Sequence, residues 1–207
     1  MLLKKLFFAL FVRPFVMVVS GVYLNGKENL PKNGPAILVA NHNSHLDTLV
    51  VMSLFSLKTL EKVRPIGAED YFFSNRVTAW LSRELLDIIP LKRRASKRDG
   101  HPFNEIYEAL DRGDIVLLFP EGSRGEAEVM KPFKRGIAHI AKEYPHVPVV
   151  PLYIHGAGKA LPKGEALFVP FIIEVNVGKS LFYEEQSKEA YTQRVEKEVL
   201  SLESSMI

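Results

Sequence analysis

The chain has no cysteine among its 207 residues. That excludes disulfides, thiolate metal sites and a cysteine nucleophile. It has no strong imbalance of charge either: 27 basic residues stand against 24 acidic ones, for a net +3. Low-complexity segments and internal repeats are missing, which excludes repeat and disordered architectures. The most apolar stretch, residues 6–24, is interrupted by Arg13-Pro14. Each uninterrupted piece is too short to cross a hydrocarbon core about 30 Å thick. What is present is ordinary globular composition, 47% hydrophobic and 25% charged. At this length that indicates one domain with a substantial core.

The modest net charge hides an uneven distribution. Residues 1–27 carry Lys4, Lys5, Arg13 and Lys27 before the first acid, Glu28. Residues 92–98 hold five cations in seven positions, and Lys131, Lys134 and Arg135 form a third cluster. Any one of these is commonly a solvated basic face. Three of them beside an apolar N-terminus point to an anionic lipid surface. No nucleic-acid motif accompanies them, so nucleic acid is not an expected partner. Residues 1–24 read best as a membrane-associating segment, a kinked or paired helix dipping into one leaflet, ahead of a domain over 25–207. A helix packed on the protein's own core and a signal peptide are the alternatives.

Apolar runs at 36–40 and 115–119 suit buried strands, with further strand at 63–67, 87–89, 147–154 and 168–177. Two prolines in 147–154 predict an edge, a strand end or a bulge. Helical patterns cover 46–55, 76–86, 102–111, 133–144 and 187–204. The alternation predicts a single α/β domain: a mixed, mostly parallel sheet flanked by helices, with the N-terminal helical segment attached.

Two motifs carry chemistry. The first is Asn41-His42-Asn43-Ser44-His45-Leu46-Asp47, just past the 36–40 strand. A histidine there can take a proton from an alcohol near neutral pH. It does so best when its other ring nitrogen donates to a carboxylate, and Asp47 is the nearest one. On one straight helix the two would lie roughly 140° apart. The pairing therefore requires a loop-to-helix corner, which Asn41–Ser44 chemistry allows. A helix-capping Asp47 with a loop-bonded His42 is the plainer reading. His42, His45 and Asp47 could also suggest a metal site, but no further ligand pattern supports it.

The second motif is Phe119-Pro120-Glu121-Gly122-Ser123-Arg124-Gly125, at the end of the 115–119 strand. Its glycines permit close backbone approach, and Arg124 can grip a phosphate with two parallel bonds. Glu121 is awkward beside a phosphate and suits a substrate hydroxyl, or holding Arg124. A surface turn with an internal ion pair is the plainer reading here. Lys92-Arg93 could add cations to the same site, as could Lys134-Arg135, and both pairs equally suit lipid head groups.

With both blocks in this order, the chain resembles the 1-acyl-glycerol-3-phosphate acyltransferases and the related lysophospholipid acyltransferases over residues 20–180. Ile89-Pro90-Leu91-Lys92-Arg93, Phe133-Lys134-Arg135-Gly136 and Val149-Val150-Pro151-Leu152 fit further blocks of that family. The resemblance implies that His42 is the general base, oriented by Asp47, in transfer of a fatty acyl group to a lysophosphatidic acid or related lysophospholipid hydroxyl. Acyl-CoA or acyl carrier protein would be the cosubstrate, with no other cofactor and no metal. Glu121, Gly122, Ser123 and Arg124 would bind the acceptor's phosphate end. Lys92 and Arg93 would assist, and Pro151 would shape the wall near the thioester or acyl chain. It also implies monotopic attachment to membrane phospholipid, on the cytoplasmic face of the inner membrane. The Leu91-Lys92-Arg93 block departs from the commoner aromatic-acid-basic form. A transacylase drawing on phospholipid, or a non-catalytic lipid-binding protein on the same fold, are the competing functions.

Overall fold

The computed structural model describes residues 2–16, 21–92, 101–123, 125, 128–160 and 171–203. Arg93 and Arg124 lie outside them. The strands are β1 (Val22–Asn25), β2 (Ala36–Ala40), β3 (Val63–Ala68), β4 (Ile89–Leu91), β5 (Ile115–Leu118), β6 (Val149–His155) and β7 (Ile173–Val177). They form one sheet in the order β1-β7-β6-β2-β5-β3-β4. Every pairing is parallel except β6 with β7. This is the mixed, mostly parallel sheet that the alternating pattern predicts.

The helices are α1 (Leu2–Phe7), α2 (Leu46–Ser53), α3 (Leu57–Leu60), α4 (Glu69–Phe72), α5 (Arg76–Leu81), α6 (Asn104–Asp111), α7 (Gly136–Glu143), α8 (Ala157–Ala160) and α9 (Lys188–Ser201). They divide between the two faces of the sheet. Ala36, Leu38 and Ala40 of β2 pack with Leu46, Val50 and Val51 of α2 and with the N-terminal Phe8 and Val12. Ile37 and Val39 face the other way, onto Ile106 of α6, Ile137 of α7 and Val195 of α9. All five residues of β2 are buried, as a strand covered on both faces requires. Ile37, Leu38 and Val39 each contribute about 1.5–3 kcal/mol on burial.

The chain leaves β2 through α2 toward β3, and leaves β5 through α7 toward β6. Neighbouring strands β2 and β5 thus feed crossovers that run in opposite directions on opposite faces, the first past β5 to β3 and the second past β2 to β6. Such a switch point opens a crevice at the carboxyl ends of its strands, and both sequence motifs begin there.

Two expectations need correction. Strand β6 is interior, between β2 and β7, despite Pro151. The Pro151 carbonyl accepts from Gly178 N at 2.9 Å, so its ring faces the β7 side where β7 has already ended. The missing N–H therefore costs the ladder nothing. Arg13-Pro14 also does not split the N-terminal helix: helical backbone runs from Leu2 through residue 16. A π-turn over Phe8–Val12 widens the helix ahead of the proline and makes room for its ring.

The N-terminal helix is docked by an unusual group. Lys4 is 2% exposed, and its Nζ donates to Val63 O at 2.7 Å, with Asp87 3.9 Å away. Arg64 bridges Asp87 at 3.3 Å and Asp114 at 2.8 Å. Burial drives the Lys4 pKa down to about 8, with Asp87 opposing. The unfolded chain therefore binds more protons between about pH 8 and 10.5, and this group makes stability rise with pH across that window. The gap corresponds to roughly 3 kcal/mol. Urea melts of wild type and Lys4→Met should show their stability difference shifting by that order between those pH values. A difference that stays flat would remove the buried ammonium from the account.

Candidate active site

The first motif turns the corner that a His–Asp contact needs. Residues 41–44 leave β2 as a loop, and Asp47 falls in the first turn of α2. His42 Nδ1 lies 2.9 Å from Asp47 Oδ2. The same oxygen accepts from Asn43 N at 2.7 Å and Ser44 N at 2.8 Å. The Asp47 carboxylate therefore folds the corner and holds the imidazole; it does not cap the helix, whose N-cap position, His45, makes no side-chain cap bond. It is wholly buried, while the His42 side chain is 19% exposed. With Nδ1 as the donor to Asp47, Nε2 is the basic nitrogen left for a substrate.

One contact packs the imidazole and two sets of bonds hold the backbone that carries it. Its ring stacks on Phe119 with centroids 4.3 Å apart and planes 21° apart. Asn41 bridges to β6, donating to Ile154 O at 2.8 Å and accepting from Ile154 N at 2.7 Å. Gly125 N donates to His42 O at 3.1 Å. The sequence reading passed over Asn41 and the stacking role of Phe119. An amide side chain at the end of a buried strand, directly before the histidine, was the available signal.

Glu121 joins the two motifs. It is 3% exposed, and its oxygens accept from His42 N at 2.7 Å and Lys131 N at 3.1 Å. Burial pushes its carboxyl above the usual range, against the pull of those two N–H groups. The expectation of Glu121 as a ligand for a substrate hydroxyl is corrected accordingly: both its oxygens hold backbone N–H groups of the frame and it does not line the cavity, while its other expected role, holding Arg124, lies outside the described residues. Gly122 sits at φ +74°, and its N–H closes the turn on Phe119 O at 3.0 Å.

The dyad opens onto a cavity of about 690 Å³. Its inner wall is apolar, with Ile66, Ile88, Phe103, Ile106, Ile137 and Ile140 among the lining residues. Gly122, Ser123, Lys92 and Lys134 bring polar and cationic groups to the same cavity, and all four are exposed. A space apolar within and cationic at its mouth fits a ligand with a hydrocarbon tail and an anionic head. Pro151 does not line it. That residue is buried in the sheet, against Gly178, where an added Cβ would lie 2.9 Å from its Cγ. Its assignment to the wall of the site is therefore corrected.

Comparison with known proteins agrees with this geometry. The family model described as Acyltransferase matches residues 21–155. A chloroplastic 1-acyl-sn-glycerol-3-phosphate acyltransferase of Brassica napus is 34% identical over 68% of this chain and 39% of its own length. The human 1-acyl-sn-glycerol-3-phosphate acyltransferase alpha is 29% identical over 75% of this chain and 53% of its own. The chain thus spans between two fifths and about half the length of these two relatives. The crystal structure of the 1-acyl-sn-glycerophosphate (LPA) acyltransferase of Thermotoga maritima superposes with a TM-score of 0.77 at 26% identity, covering 97% of this chain and 77% of that one. With a family model spanning well over half its residues, this chain belongs to the acyltransferase family.

Proposed function

We propose that this protein transfers a fatty acyl group from an acyl thioester, on coenzyme A or acyl carrier protein, to the free hydroxyl of lysophosphatidic acid or a related lysophospholipid. The observation that carries the reading is the His42–Asp47 pair, 2.9 Å apart, at a cavity apolar within and cationic at its mouth.

The chemistry follows from the geometry. His42 Nε2 takes the proton of the acceptor hydroxyl as that oxygen attacks the thioester carbonyl carbon. The buried Asp47 carboxylate holds the tautomer and stabilises the imidazolium. The tetrahedral intermediate then expels the thiolate, which recovers the proton from His42. No acyl-enzyme is required. Ser44, the hydroxyl nearest in sequence, is wholly buried, and its Oγ accepts from Leu46 N at 3.3 Å. The head of the acceptor lies against Gly122, Ser123 and Lys92, and the hydrocarbon occupies the apolar interior. Purified protein given an acyl-CoA or acyl carrier protein donor and lysophosphatidic acid should release thiol and form diacyl product. Labelled phospholipid as the only acyl source should yield none.

The N-terminal helix supports action at a membrane surface. Lys4, Phe8, Val12 and Val16 face the protein's core, while Leu2, Leu6, Leu10 and Phe11 are exposed. An apolar stripe left over after the core is satisfied suits an interfacial helix. Among the described residues no helix is long and apolar enough to cross a membrane. Attachment is therefore proposed to one leaflet, the cytoplasmic one of the inner membrane. Leu10→Glu and Phe11→Glu each remove a side chain that is 63% or 65% exposed. Each should lower partition into anionic vesicles by about tenfold or more and leave the thermal midpoint in place. Unchanged sedimentation with vesicles would count against the helix as an anchor.

A further inference from the structure

Lys134 stands outside the second motif by ten residues beyond Arg124, yet the fold returns it to that motif. Its backbone N–H donates to Pro120 O at 2.9 Å. The preceding residues are tied down as well, through Lys131 N on Glu121 at 3.1 Å and Phe133 N on Glu196 at 3.0 Å. Residues 131–134 are therefore held against the 119–122 turn.

The side chain of Lys134 then lies across Gly122. A Cβ placed on that glycine would meet Lys134 Nζ at 2.4 Å, Cε at 3.0 Å and Cδ at 3.1 Å. The lysine occupies the space that any other residue's Cβ would fill. Gly122 thus serves two needs at once, the positive φ of the turn and the berth of this ammonium. Both residues line the cavity that His42 lines. Among the described residues no carboxylate pairs with Lys134. Glu121, the neighbour of Gly122 in the turn, has both oxygens on backbone amides.

We propose that Lys134 binds the phosphate of the acceptor and sets the preference for a phosphate-bearing over a phosphate-free glycerolipid. The inference rests on the acyl-transfer reading of the site. An ammonium offers three donors and a compact charge, and its bonds to a phosphate oxygen are charge-assisted. Its methylenes, packed on the glycine, keep that charge at the cavity's edge, where no carboxylate among the described residues pairs with it. A phosphate monoester bound there would leave the glycerol hydroxyl and the hydrocarbon chain to the interior, where His42 and the apolar wall are.

The test compares lysophosphatidic acid with monoacylglycerol as acceptors for wild type, Lys134→Met and Lys134→Arg. The quantity read is the ratio of the two kcat/KM values, with KM and kcat separated. Lys134→Met should reduce the ratio by about tenfold or more, through the KM for lysophosphatidic acid. Lys134→Arg should recover part of it. An equal loss on both acceptors, or an unchanged ratio, overturns the proposal. Thermal protection by each lipid gives a readout independent of turnover. If wild type transfers no acyl group but is protected better by lysophosphatidic acid in a Lys134-dependent way, the transfer reading fails and the phosphate site stands. If the protection does not depend on Lys134, the phosphate site fails whatever the transfer assay gives.

Discussion

His42→Ala should lower kcat by at least about 10²-fold, the scale of a lost general base, with the fold intact. The ring is partly exposed, at 19%, and its removal leaves the backbone bonds of the corner in place. Asp47 keeps the N–H groups of Asn43 and Ser44, and Glu121 keeps His42 N. What is lost is the stacking on Phe119, worth about 1 kcal/mol, and the base itself. Acceptor and donor KM should change little, since the imidazole acts mainly as the proton moves. A variant that retained wild-type turnover would show that His42 is not the base.

Glu121→Ala is the second large effect, and it separates framing from binding. The substitution leaves the N–H groups of His42 and Lys131 without their acceptor. Unmet buried donors cost about 1–3 kcal/mol each, so stability should fall by about 3 kcal/mol and the thermal midpoint by several degrees. His42, the proposed base, also loses a backbone anchor. A displacement of about 1 Å at a reacting group costs on the order of 10²-fold, so kcat should fall with the midpoint. The pattern differs from His42→Ala, where turnover falls and stability drops by only about 1 kcal/mol. If Glu121→Ala instead kept stability and kcat and raised only the acceptor KM, the carboxylate would be a substrate ligand after all.

Much of this was readable from short-range chemistry. The buried runs at 36–40 and 115–119 became β2 and β5 because five or so consecutive apolar residues suit a strand covered on both faces. The His42–Asp47 contact was legible because a turn-prone loop must end where the helix starts. Long-range geometry was not. The prolines of 147–154 predict an edge, a strand end or a bulge, yet β6 is interior, and Pro151 is tolerated because it sits where the β7 ladder stops. Pro14 reads as a break, yet a π-turn absorbs it. Glu121 reads as a ligand because sequence shows its charge but not the two amides, 79 and 10 residues away, that use it up. Lys134 shows no tie to Gly122 until the loop is closed.

The most direct measurement is acyl transfer by purified protein, with acyl-CoA and acyl carrier protein donors tried in turn on lysophosphatidic acid, beside His42→Ala. Thiol release matched by diacyl product, lost by at least about a hundredfold in the variant, is the predicted result. Product formed equally by both proteins, or none from either donor, would contradict the account.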